Sequence, residues 1–240
     1  MITERYFENI IHLLEKIKTT QKSKINTVAQ IVADVIKNDG IIYVFGCGHS
    51  HLAALDCFYR SGGLANVSAI LDTDLMLHNG AAKSSKMEKM SGVADSIFER
   101  YCITSKDVLF VISTSGKNPV PVEMAEIAMK RGIRTIAVTS SEYFDDKKDK
   151  TMLFENCDIY IDNCVPHGDA VIGLCGTDVK MGSVSTAAST FIMQTVLTEG
   201  AQIALKIDAD VHIYMSGNVP GGSEFNKKIV KKYLPRIKHL

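Results

Sequence analysis

The chain has 240 residues, with 27 basic and 27 acidic side chains balancing to a formal net charge of zero, and no tryptophan. That length suits one α/β domain with a helical appendage and buries a sizeable core without difficulty. The charge balance excludes the global basic field of a nucleic-acid binder, the lack of tryptophan weakens base stacking, and no apolar run nears the roughly 18 residues needed to cross a membrane.

Phe7, Ile10, Ile11, Leu14 and Ile17 keep helical spacing, as do Ile25, Val28, Ile31, Val32, Val35 and Ile36. They predict two amphipathic helices over residues 1–37, or one helix interrupted near Thr19-Thr20. Ile41 to Phe45 is the first strand, and Gly46-Cys47-Gly48-His49-Ser50 follows it directly. Its two glycines allow a tight turn and close backbone approach to a ligand. A helix is expected from about Leu52 to Tyr59. The G-x-G is not a dinucleotide fingerprint, because His51 stands where the third glycine belongs and the strand at 67–71 ends in Asp72-Thr73-Asp74 without the remaining pattern. His49 and His51 flank Ser50. Metal ligation would need a third partner that the sequence does not place beside them, so they read as polar loop contacts, with one as a proton-transfer group in second place.

Leu75 to His78 leads into an Asn79-Gly80 turn, and residues 81–90 are polar and mobile in composition, as active-site lids often are. Val93, Ala94, Ile97, Phe98 and Tyr101 return to helical spacing. Glu88 and His78 are the acid–base candidates of this region, against the plainer reading of Glu88 as a solvated carboxylate on a helix face.

The unit from Asp107 to Ser140 organises the rest. Val108 to Ile112 is an unbroken, β-branched apolar run, as a strand buried on both faces of a parallel sheet reads. Ser113-Thr114-Ser115-Gly116-Lys117-Asn118 follows, then Pro119-Val120-Pro121, a helix ending at Arg131-Gly132, and a buried strand over 133–138. The crossover must be right-handed, and because the strand feeds a helix, the connecting loop lies at the carboxyl edge of the sheet, where open α/β sheets bind ligands. One serine here would merely cap the helix. Three adjacent hydroxyls and a glycine, with first-turn N–H groups left free beside a proline, point to phosphate binding instead.

Ser141 to Met152 is a charged loop containing Asp145, Asp146, Lys147 and Lys148. The fifth strand falls near 158–161, and Asn163 to Ala170 leaves it at the same carboxyl edge. Gly182-Ser183-Val184-Ser185-Thr186 opens a long apolar helix, its hydroxyls placed to cap it or touch a ligand. Phe225 to Tyr233 is a basic amphipathic helix whose default is a solvated face. None of the six cysteines forms a C-x-x-C pair, and the opening residues MITERYFENI lack the apolar core of a signal peptide. Reduced thiols and a cytoplasmic location are the expectation.

Ser113-Thr114-Ser115-Gly116 after a hydrophobic strand resembles the phosphate loop of the sugar isomerase (SIS) domain. The resemblance spans roughly Ile41 to Ala204, including Gly46-x-Gly48-x-Ser50 and Ser183-Val184-Ser185-Thr186. Three further segments are similar to a bacterial, UPF0309-like group of SIS proteins: Gly80 to Glu88, Asp162-Asn163-x-x-Pro166-x-Gly168-Asp169-Ala170, and Asn218-Val219-Pro220-Gly221-Gly222. The resemblance implies a three-layer α-β-α sandwich with a five-stranded parallel, flavodoxin-like sheet and an N-terminal helical appendage. The expected divisions are N-terminal helices at 1–37, an SIS domain at 38–215 and a C-terminal basic helix at 216–240. It further implies that Ser113, Thr114, Ser115 and Asn118 hold a sugar phosphate, with Gly48, Ser50, Ser185 and Thr186 nearby, and that the chain pairs as a homodimer through helices. N-acetylmuramic acid 6-phosphate etherases, similar in the phosphate loop and terminal region, place a catalytic Glu where this chain has Asp56-Cys57-Phe58-Tyr59. Phosphoheptose isomerases use Glu and His around a metal, and no full ligand set aligns here. The expectation is therefore an aldose–ketose sugar-phosphate isomerase without cofactor or metal, with Glu88 as base and His49 or His78 as proton shuttle. The alternatives are an amino-sugar-phosphate lyase or etherase, and a non-catalytic phosphosugar sensor.

Overall fold

In the computed structural model, which describes residues 1–147 and 150–240, Lys148 of the charged loop lies outside the described residues. The apolar run at the centre of the sequence is also the centre of the sheet. Strand β3 (Val108–Ile112) is buried at all five positions and lies between β1 (Ile42–Gly46) and β4 (Arg134–Thr139). With β2 (Val67–Ala69) and β5 (Ile159–Asp162), the order is β2-β1-β3-β4-β5, every pair parallel. This is the expected five-stranded, flavodoxin-like sheet, with its order reversing between β1 and β3.

Because successive side chains on a strand point to opposite faces, these runs feed two cores. Ile42, Val44, Phe110 and Ile112 face one core, closed by α1 (Ile2–Thr20), α2 (Lys22–Lys37), α3 (Ser50–Cys57) and α7 (Ser185–Lys206). Tyr43, Phe45, Leu109 and Val111 face the other, closed by α5 (Val93–Phe98), α6 (Pro119–Lys130) and α8 (Gly222–Tyr233). The three layers follow from that alternation.

Two stretches differ from their sequence expectation. The polar segment read as a mobile loop contains helix α4 (Ala81–Met87), whose Ser84 is buried and donates its hydroxyl proton to the Leu75 carbonyl at 2.9 Å. Residues 170–183 form an antiparallel hairpin, β6 (Ala170–Gly173) and β7 (Lys180–Ser183), held to α1 by the Tyr6 hydroxyl on the Ser183 carbonyl at 2.8 Å. The helix after β1 also begins two residues earlier than expected, at Ser50.

Candidate functional site

Parallel pairing aligns Gly46 with Ile112, so the loops leaving β1 and β3 emerge side by side at the carboxyl edge, where the strand order reverses. The β1 loop turns within van der Waals limits of itself. A Cβ on Gly46 would lie 2.6 Å from the Ser50 carbonyl oxygen, so only glycine fits. Gly48 then takes a left-handed φ of +56° and donates its N–H to Leu75 O at 2.9 Å, the same carbonyl that Ser84 reaches. One carbonyl thereby joins the β1 loop to α4. Ser50 is half-buried at the start of α3, and His49 is exposed just before it.

The β3 loop divides its polar groups between structure and solvent. The buried Ser113 hydroxyl accepts the Gly116 N–H at 3.3 Å, and the Thr114 hydroxyl accepts from the fully buried Asn163 side chain at 3.1 Å. The Thr114 carbonyl takes the Ser140 N–H at 2.9 Å. Ser115 and Asn118 are half-buried, and among the described residues neither side chain has a hydrogen-bond partner. The backbone N–H groups of Thr114, Ser115, Lys117 and Asn118 are likewise unpaired among the described residues.

The expected free donors of the first turn of α6 are not there. Pro119 and Pro121 have no N–H, Val120 N–H donates to the Glu88 carbonyl at 3.2 Å, and Val122 N–H bonds to Asn118 O. An anion at this loop would meet loop donors rather than helix donors, with the helix dipole behind them.

Glu88 follows α4 directly and is half-buried. Its carboxylate lies near Cys47, whose thiol is pushed well above its usual range by burial, with Glu88 and Asp72 adding to the shift. Through its backbone carbonyl, which accepts the Val120 N–H, Glu88 is tied to the start of α6. His78 is exposed in the one-turn helix Leu77–Asn79 and lies close enough to His51 to disfavour charge there. His51 itself is buried at 3% exposure.

Ser185 and Thr186 are placed differently. The Ser185 hydroxyl donates to Asp169 Oδ2 at 2.7 Å, while Asp169 Oδ1 accepts the N–H groups of Val184 and Ser185 at 2.9 and 2.8 Å. The N-terminus of α7 is therefore capped by a carboxylate of the chain itself, and no hydrogen bond joins Ser185 or Thr186 to the β3 loop among the described residues. Asp56, the first residue of the segment compared with the etherases, pairs with Arg60 and accepts from Gln194 at 2.7 Å. Two contributors escaped sequence reasoning. Asn163 orients Thr114, and Asp169 caps α7 from 16 residues away. Both lie in a segment read as a loop at the carboxyl edge and for its likeness to other chains, without a role for either side chain. Among the described residues no group of three or more His, Cys, Asp and Glu side chains is arranged to hold a metal ion, and no helix is long and apolar enough to cross a membrane.

An SIS domain model matches residues 5–140. A UPF0309 protein of Caldanaerobacter subterraneus subsp. tengcongensis is 40% identical over 242 residues, covering 98% of each chain. Another, of Geobacillus thermodenitrificans, is 38% identical over 98% of this chain and 96% of its own. Among solved structures, phosphoheptose isomerase of Neisseria gonorrhoeae superposes with a TM-score of 0.56 at 17% identity, covering 84% of this chain and 100% of its own. A phosphoheptose isomerase from Francisella tularensis gives 0.55 at 15% identity, covering 83% and 96%. At these identities the structural likeness speaks for the fold.

Proposed function

This chain belongs to the SIS-domain family, among its UPF0309 members, and on that premise we propose that it binds a phosphorylated sugar or amino sugar and interconverts its aldose and ketose forms. The observation that supports this best is the divided β3 loop. The Ser113 and Thr114 hydroxyls hold the loop as acceptors and keep their own protons to donate, while the Ser115 hydroxyl, the Asn118 amide and the N–H groups of Thr114, Ser115, Lys117 and Asn118 have no partners among the described residues at the sheet's switch point. A phosphate dianion supplies the acceptors such donors lack, and each charge-assisted bond contributes roughly 1.5–3 kcal/mol. Gly48 and Ser50 border the same edge.

With the phosphate on this loop, the open-chain sugar lies across the β1 end. Glu88 takes the proton from C2 and returns it to C1, so the aldehyde becomes an alcohol and the C2 alcohol a ketone through an enediolate. His49 or His78 moves the hydroxyl proton between O1 and O2. Such positioned proton transfer accelerates reaction by about 10²–10⁴. Asp56, committed to Arg60 and Gln194, disfavours ether cleavage. The test is incubation with a panel of hexose, hexosamine and heptose phosphates in deuterium oxide, followed by NMR. Deuterium exchange at C2 with formation of the isomer is expected. Binding without exchange would leave a sensor, and no binding beyond that of inorganic phosphate would overturn the phosphosugar assignment.

A further inference from the structure

A second cleft lies away from the carboxyl-edge site. It has a volume of about 620 Å³ and opens between the turn after α3 and one stripe of α8. Clefts of a few hundred Å³ are the size that small ligands fill. One wall is Tyr59, 57% exposed and held in a left-handed backbone conformation with φ of +45°. Bulky residues adopt that conformation rarely, and it recurs at ligand clamps. The Tyr59 ring meets the Tyr214 ring edge-on, centroids 5.1 Å apart and planes at 72°, which orients it while more than half of the residue stays exposed.

Tyr214 is 4% exposed, and its hydroxyl is buried with no hydrogen-bond partner. Burial raises its pKa to about 12, so the hydroxyl keeps its proton. That hydroxyl is closed off from the cleft, so Tyr214 serves the site as the ring that orients Tyr59. The rim is cationic. Arg60, Lys227 and Lys231 line the cleft; Arg60 is paired with Asp56 and Lys227 with the exposed Glu224, while Lys231 has no ion-pair partner among the described residues. Val230 of α8 and Leu234 just past its end supply an apolar floor.

We propose that this cleft is a second binding site, for an anion carrying a flat ring, with a nucleoside monophosphate as the fitting chemical class. The ring stacks on Tyr59 over Val230 and Leu234, and the phosphate lies toward Lys231 and Arg60. The basic face of α8, which a solvated default would leave without a role, gains one.

The test is calorimetric titration of the full chain with adenosine 5′-monophosphate, ribose 5-phosphate and inorganic phosphate. The nucleotide should bind at least tenfold more tightly than ribose 5-phosphate. Lys231→Glu should weaken it at least tenfold, and Tyr59→Ala should reduce it to the level of ribose 5-phosphate. Ser115→Ala, which alters the β3 loop instead, should leave nucleotide affinity unchanged. The inference is overturned if the nucleotide binds no better than inorganic phosphate, or if Ser115→Ala abolishes its binding and Lys231→Glu does not. Lys231 is exposed, so its variant keeps the test decisive even if Tyr59→Ala disturbs the turn.

Discussion

Val120 donates its backbone N–H to the backbone carbonyl of Glu88 at 3.2 Å. This bond ties the residue proposed as base to the helix behind the proposed phosphate loop, and it uses no side-chain atom. Glu88→Gln should therefore keep the link and the fold. The expected result is deuterium exchange at sugar C2 reduced by about 10²–10⁴, with sugar-phosphate affinity within a few-fold of wild type and an unchanged urea midpoint. Exchange that survives the substitution would remove Glu88 from the mechanism.

Gly116 bears on the loop through its backbone. Its φ is +60°, and a Cβ there would lie 2.8 Å from Thr139 Oγ1 and 3.3 Å from Leu153 Cβ. Its carbonyl also accepts the Leu153 N–H at 2.8 Å, so the loop cannot move outward freely. Gly116→Ala should cost about 1–3 kcal/mol in urea unfolding and weaken sugar-phosphate binding together. A variant as stable as wild type would mean that the turn is less constrained than this geometry requires.

How far the sequence carries the fold depends on how local the cause is. Val108 to Ile112 is legible as a buried strand because every residue in it is apolar and both faces are covered. The hairpin at 170–183 is not, since Lys180, Met181 and Ser183 are exposed and show no alternation to read. Helix α4 hides for a similar reason: its inward-facing Ser84 is polar and is satisfied by Leu75, nine residues away. At the candidate site, the hydroxyls of residues 113–115 are visible in sequence, but their division into holding and open groups is not. Thr114 is held by Asn163, 49 residues away, and Ser113 by the Gly116 N–H within the turn itself.

His51 should make stability fall on acidification. Burial lowers its pKa from the ordinary value of about 6.5; nearby His78 adds to this, while Asp72 and the Gly46 carbonyl, which makes no well-formed hydrogen bond, oppose it. The unfolded chain then binds more protons just below pH 6.5 than the folded one. Stability is full above about pH 6.5 and declines as pH drops from there toward the depressed folded pKa. Urea midpoints at several pH values should show this slope in wild type and a flatter one in His51→Leu. At neutral pH the variant should be at least as stable, because leucine removes two buried nitrogens that lack partners. A loss of stability at neutral pH would show that the imidazole is satisfied after all.

Dimerisation is expected from α1. Leu13 and Ile17 of this helix are buried, but Phe7 and Ile11 of its apolar stripe remain 63% and 57% exposed. A second copy covering that face would remove both from water, at roughly 25 cal/mol per Å² of apolar surface. Light scattering should give twice the chain mass, and Phe7→Glu with Ile11→Lys should return the monomer without unfolding it. A wild-type monomer at high concentration would count against the proposal.

Ser115 and Ser113 form the pair that best separates ligand binding from loop construction. The Ser113 hydroxyl accepts the Gly116 N–H and closes the turn, whereas the Ser115 hydroxyl has no partner among the described residues. Ser113→Ala should therefore lower stability by up to about 1 kcal/mol, as the loss of a capping side chain does. Ser115→Ala should change stability far less. If the Ser115 hydroxyl donates to a phosphate dianion, that bond contributes roughly 1.5–3 kcal/mol, which is about a tenfold to hundredfold loss of sugar-phosphate affinity in the alanine variant. Calorimetric titration with hexose, hexosamine and heptose phosphates, with inorganic phosphate as control, measures the affinity, and urea unfolding measures the stability. The expected pattern is affinity lost at 115 and stability lost at 113. The reverse, with Ser115→Ala binding as wild type does, would make the loop structural and move the phosphate elsewhere.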